Sequence, residues 1–173
     1  MTARLIDFQQ EDEAPRWRAI NDDVMGGVSR GNMRGEDGVG VFSGELSLEH
    51  GGGFASVRRE PEAFALDDVS GLRLYVRGDG RRYQLRVYSN QLIEGAAYRA
   101  VFQTRAGEWQ RVTLPWHEFE AVFRGRRLED APSLDPGTIH QVGFLTVDRR
   151  SGPFRLEVAW LETLGTDDEG RIW

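Results

Sequence analysis

Residues 71–89, "GLRLYVRGDGRRYQLRVYS", decide how the chain is read. In the first half Leu72, Leu74 and Val76 alternate with Arg73, Tyr75 and Arg77. In the second, Tyr83, Leu85 and Val87 alternate with Gln84, Arg86 and Tyr88. Successive side chains of an extended chain point to opposite faces, so this pattern predicts two strands, each with one packed and one wet face. Between them "GDGR", 78–81, carries Asp79-Gly80, a strong turn dipeptide, and predicts a hairpin.

The same period runs outward from this stretch. "VFSGELSLEH", 41–50, offers Phe42, Leu46 and Leu48 to one face. "FRLEVAWLE", 154–162, sends Phe154, Leu156, Val158 and Trp160 inward with Arg155 and Glu157 outward. Further strands are expected at 54–58, 97–103, 109–114 and 140–147, punctuated by "RAGEW" (105–109), "SLDPGT" (133–138) and "RRSGP" (149–153). "WHEFEAVF", 116–123, reads as one short helical turn, and no long 3.6-residue period is present. Eight or more short antiparallel strands predict an all-β, two-sheet antiparallel β-sandwich of jelly-roll type.

At 173 residues the expectation is one domain over 1–173, and five tryptophans with 39% hydrophobic residues suit a packed core. All 22 basic residues are arginine, set against 28 acids for a net charge of −6, which argues against general nucleic-acid binding. The absence of cysteine excludes disulfides, thiol catalysis and the commonest zinc and iron–sulfur ligands. "MTARLIDFQQEDEAPRW" shows no secretory or presequence pattern, and no apolar run approaches the roughly 20 residues of a membrane span. A cytoplasmic protein without a membrane span is the resulting expectation.

Two glycine-bearing blocks are the candidate ligand or partner loops. In "INDDVMGGVSRG", 20–31, Asn21, Asp22 and Asp23 precede Met25, Gly26, Gly27 and Ser29. No Lys-Ser/Thr follows, as a phosphate cradle needs, and the alternating oxygens and distal glutamate of a calcium loop are missing. An Asx-type turn is the simplest reading, with a ligand loop or a looser calcium site as alternatives. In "HGGGFASVR", 50–58, Gly52 and Gly53 permit close backbone approach, Phe54 is expected to be buried, and Arg58 is expected to pair with Asp22 or Asp23. A third candidate is the wet strand face, where Arg73, Tyr75, Arg77, Gln84, Arg86, Tyr88 and Arg99 would share one aromatic–arginine surface if their strands are neighbours. An ordinary solvated face is the plainer alternative.

Catalytic signals are thin. His50, His117 and His140 are scattered, no nucleophile-elbow serine occurs, and the pairs Asp22/Asp23, Asp67/Asp68 and Asp167/Asp168 single out no acid–base couple. No catalytic residue, metal or cofactor is assigned.

"NDDVMGGVS" (21–29), "FSGELSLEHGGGFASVR" (42–58), "RGDGRRYQLRV" (77–87), "GEWQRVTLPW" (107–116) and "GPFRLEVAW" (152–160) carry a resemblance. Over roughly residues 8–162 the chain resembles the complex I intermediate-associated protein 30 family, named for a mitochondrial assembly factor of respiratory NADH:ubiquinone oxidoreductase. The resemblance implies a galactose-binding-like jelly roll and a non-enzymatic role through protein partners in complex I assembly. A carbohydrate-binding module is the alternative, and an enzyme with an unassigned acid pair comes third.

Overall fold

A computed structural model describes residues 3–21, 30–48, 53–147 and 150–165, and among these it contains strands and short 3-10 turns but no α-helix. The strands are β1 (Ala3–Asp7), β2 (Trp17–Asn21), β3 (Arg30–Glu36), β4 (Val39–Leu46), β5 (Ala55–Arg59), β6 (Val69–Arg77) and β7 (Arg82–Ser89). They continue with β8 (Ala97–Gln103), β9 (Trp109–Pro115), β10 (Glu120–Phe123), β11 (Arg126–Arg127), β12 (Ile139–Thr146) and β13 (Gly152–Gly165). A six-stranded sheet runs β3-β4-β13-β6-β9 with β1 added along β13, and a seven-stranded sheet runs β11-β10-β8-β7-β12-β5-β2. The fold is a two-sheet antiparallel β-sandwich of jelly-roll type.

Alternation explains the closure. Leu72, Leu74 and Val76 of β6, Phe42 of β4 and Leu156 and Val158 of β13 face inward from one sheet. Tyr83, Leu85 and Val87 of β7, Val142 and Phe144 of β12 and Val57 of β5 meet them from the other. Each large aliphatic side chain so buried stabilises the fold by about 1.5–3 kcal/mol.

The expected hairpin at 78–81 is corrected. β6 and β7 belong to different sheets, so the segment is an arch that carries the chain across the sandwich. Both strands have their apolar faces inward, and each covers the other only if the chain folds over rather than lying flat beside itself. Asp79 organises the arch by accepting from the Arg81 amide (3.1 Å), the Tyr83 hydroxyl (3.0 Å) and the Arg155 amide (2.8 Å). Gly80 takes φ +93°, a conformation that side chains disfavour. The 104–107 connection crosses alongside, with the Gly80 amide donating to Thr104 Oγ1 at 3.1 Å and the Gly107 amide donating to the Gly78 carbonyl at 3.0 Å. Buried Arg81 reaches the third crossing, donating to the carbonyls of Arg150 (2.6 Å) and Pro153 (3.2 Å).

Parity also fails once within a strand. A bulge between Val158 and Trp160 removes one residue from the alternation of β13. Leu161 then enters the core, and Trp160, expected inward, turns to the outer face and stacks on Tyr75 at 5.5 Å. Leu48 lies beyond the end of β4 and is 48% exposed rather than packed. Of "WHEFEAVF", only Trp116–Glu118 forms a 3-10 turn; Glu120–Phe123 is β10.

Candidate functional site

The outer face of the seven-stranded sheet collects what period-two patterning leaves over. β2, β5, β7 and β8 each place an arginine outward, and strand register sets them side by side. Reading across the sheet, Arg18 pairs with Arg58, Arg58 with Gly143, Gly143 with Arg86, Arg86 with Arg99 and Arg99 with Glu120. Strands lie about 4.8 Å apart, so the row from Arg18 to Arg99 covers about 19 Å. A second row alongside it is less charged: Ile20, Ser56, Leu145, Gln84 and Val101.

Gly143 makes the packing of this face possible. A Cβ there would lie 2.6 Å from the Val57 carbonyl oxygen and 3.3 Å from Arg58 Cγ. Arg58 instead lies over the glycine, its guanidinium 4.5 Å from the centre of the Tyr88 ring. Its Nε is buried and has no hydrogen-bond partner among the described residues. Arg86 donates from Nε to Gln84 Oε1 at 3.0 Å. Burial lowers the Arg86 pKa, the neighbouring Arg99 and Arg58 charges push the same way, and Tyr88 opposes them.

Among the described residues no carboxylate pairs with Arg18, Arg58, Arg86 or Arg99. Glu120, which ends the row, turns to Arg127 at 3.6 Å. The outer face of the six-stranded sheet is different. There Arg77 and Arg155 pair with Glu157, Arg155 also reaches Glu36 at 3.4 Å, and Arg4 pairs with Glu162 at 3.0 Å. Two arginines of that face, Arg73 and Arg111, also lack a carboxylate among the described residues, Arg73 donating to Thr113 Oγ1 at 3.2 Å and Arg111 lying over the Tyr75 ring. Only the seven-stranded sheet lines its unpaired arginines up in one cross-strand row.

A cleft of about 230 Å³ opens beside the arginine row, lined by Arg82, Tyr83, Gln84, Arg99, Val101 and Val147. Val101 is 49% and Val147 45% exposed, so cationic and apolar groups sit together at the mouth. A larger hollow, about 530 Å³, lies between residues 91–93 and 127–132. It sets Arg127 against Glu129 and Asp130 and holds none of the candidate residues named from sequence.

The shared aromatic–arginine surface is corrected to two surfaces. Gln84, Arg86, Tyr88 and Arg99 are together on one sheet, whereas Arg73, Tyr75 and Arg77 face outward from the opposite sheet, because the 78–81 arch separates their strands. Tyr75 is itself enclosed between Trp109 at 4.9 Å and Trp160 at 5.5 Å. Tyr88, expected to be wet, is 7% exposed because Arg58 covers it. Phe54 is half-buried, and Gly53 takes φ +133° with Leu48 beside it. Asn21 ends β2; its side chain, and Asp22, Asp23, Met25, Gly26, Gly27, Ser29 and Gly52, lie outside the described residues, as does any pairing of Arg58 with Asp22 or Asp23. Arg18, Arg82, Val101, Gly143 and Val147 were not among the sequence candidates. The signal for Arg18 was an arginine at an outward parity, but only strand register shows that it joins the row. Among the described residues no group of three metal-ligating side chains comes together.

Comparison with known proteins adds the following. Residues 6–158 match the family model of complex I intermediate-associated protein 30. The chain is 25% identical over 134 residues to the mitochondrial complex I intermediate-associated protein 30 of Neurospora crassa, covering 74% of this chain and 48% of the relative. It is 26% identical over 181 residues to that of Mus musculus, covering 92% and 55%. The chain thus spans about half the length of the curated relatives it matches. The fold is shared, at 14% identity and TM-score 0.69 over 95% of each chain, with a family 11 carbohydrate-binding module from Clostridium thermocellum in complex with a mixed-linked tetrasaccharide. An agarase matches with TM-score 0.65 and 12% identity over 95% of this chain and 24% of its own. These relatives correct the cytoplasmic expectation: those of Neurospora crassa, Mus musculus and Caenorhabditis elegans are all named as mitochondrial. The composition of the first residues of a chain half its relatives' length was the wrong guide to location.

Proposed function

This chain belongs to the complex I intermediate-associated protein 30 family, and on that premise we propose that it is a non-catalytic protein-binding module in the assembly of respiratory complex I. Its docking surface is the outer face of the seven-stranded sheet. The observation that carries this reading is the cross-strand row Arg18–Arg58–Gly143–Arg86–Arg99, which no carboxylate neutralises among the described residues. Like charges held side by side cost free energy that a complementary partner recovers on binding. Lowered pKa values at Glu36 and Glu157 reflect arginine pairing, which suits structural ion pairs rather than a general acid. A sugar-binding reading has less support, since a sugar stacks on an open ring face. Arg58 covers the Tyr88 ring, and Tyr75 has a tryptophan on either side.

The test is complementation of cells lacking this protein with the Arg86→Glu/Arg99→Glu variant. Assembled complex I is read by native electrophoresis, with the variant's abundance checked in parallel. Charge reversal is expected to deplete assembled complex I at unchanged abundance. Full assembly with the reversed face would remove it as the docking surface.

A further inference from the structure

We propose that the occupant of this face is an extended acidic segment of a partner protein, carrying an aliphatic side chain next to its carboxylates. This rests on the reading of the face as a protein-docking surface. The chemistry comes from two features that meet at β8. Arg99 and Val101 are two residues apart on one strand, so they share a face about 7 Å apart. Arg99 continues the arginine row, and Val101 lines the cleft with Val147.

Guanidinium groups grip carboxylates through paired, planar hydrogen bonds. Arg86 and Arg99 are directly opposed on neighbouring strands, so both reach one carboxylate placed over them. Arg58, beyond Gly143 in the same row, is placed for a second. The exposed valines are the wrong lining for a pure polyanion. A phosphate chain or nucleic acid would gain nothing from Val101 and Val147. A peptide whose acidic residues flank Val or Leu satisfies both halves: carboxylates on the row, an aliphatic side chain in the cleft of about 230 Å³.

The test is selection of displayed random peptides on the intact protein, with counter-selection on the Arg86→Glu/Arg99→Glu variant. Retained sequences are expected to be enriched in Asp or Glu beside Val, Leu or Ile. The best peptide, followed by fluorescence anisotropy, should bind about tenfold or more weakly to Arg99→Glu, and more weakly to Val101→Ser. Its affinity should fall as salt rises. Val101 is exposed, so Val101→Ser keeps the fold, and melting curves verify each variant. Retained peptides without acidic enrichment, no retained peptides, or equal affinity for Arg99→Glu would overturn the proposal. So would tighter binding of inorganic triphosphate, poly-uridine or a mixed-linked glucan tetrasaccharide. If charge reversal abolishes complex I assembly while the selected peptides are not acidic, the occupant is wrong and the docking face stands. If assembly is untouched, the face itself is wrong.

Discussion

Gly143→Ala tests the packing that places Arg58. The added Cβ would sit 2.6 Å from the Val57 carbonyl oxygen, 3.3 Å from Arg58 Cγ and 3.5 Å from Arg58 Cα. Carbon and carbonyl oxygen rarely approach closer than about 3.3 Å, so roughly 0.7 Å must be found. The arginine stem can swing aside, but the Val57 carbonyl belongs to a strand held between β12 and β2 and cannot. The two strands must therefore bend locally, at a cost of about 1–3 kcal/mol. For a chain of this size that lowers Tm by about 3–10 °C. Equilibrium urea denaturation of the wild type, Gly143→Ala, Arg58→Ala and the double variant measures the effect. Because the carbonyl is the obstacle, removing the Arg58 side chain should recover little, with a coupling below about 0.5 kcal/mol. Gly143→Ala as stable as the wild type, or full recovery in the double variant, would refute this account.

Two further predictions concern charge. Glu13 and Arg59 form a buried two-point ion pair, 2.7 and 3.2 Å, and Glu13 also accepts from Trp17 Nε1 at 2.8 Å. Glu13→Gln should cost about 3 kcal/mol or more by leaving the guanidinium buried and under-paired, and a loss below about 1 kcal/mol on denaturation would contradict that. Arg77, and with it Arg155, holds the Glu157 carboxyl below its ordinary pKa. A depressed folded-state pKa gives stability that is complete above the unfolded value of about 4.3 and is lost as pH falls through the folded value. On acidification below about pH 4.5 the wild type should therefore lose more stability than Glu157→Gln, as read by denaturation at several pH values. Parallel pH curves would remove Glu157 from the account.

Strands whose two faces differ were readable before any coordinates. β6 and most of β13 alternate, and burial follows that alternation. β7 alternates in sequence but also buries its outward Gln84 and Tyr88, and β12 is buried without a break from Val142 to Thr146. β3 was not readable, because "RGNMRGE" offers Met33 as its one buried apolar residue and is held as an edge strand by β4. β11 is two residues long and owes its existence to pairing with β10. The Asp79-Gly80 dipeptide carried correct turn chemistry and the wrong partner, since local residues do not say whether two strands lie flat or fold over. The candidate site was legible in pieces. Arg58, Arg86 and Arg99 could be named, but the row they form with Arg18 depends on register between strands far apart in sequence, and on a glycine whose importance is an interatomic distance.

β13 has a consequence for how such a protein comes into being. It is the last in sequence among the described strands, and it inserts between β4, with β1 beyond its bulge, and β6. Until it arrives, the β3–β4 pair and the β6–β9 pair each wait with an open edge ready to recruit a foreign strand. Closing the sheet then requires contacts that span most of the chain, the slowest kind to find. A nascent chain of this design therefore carries two unpaired sheet edges until β13 has been made.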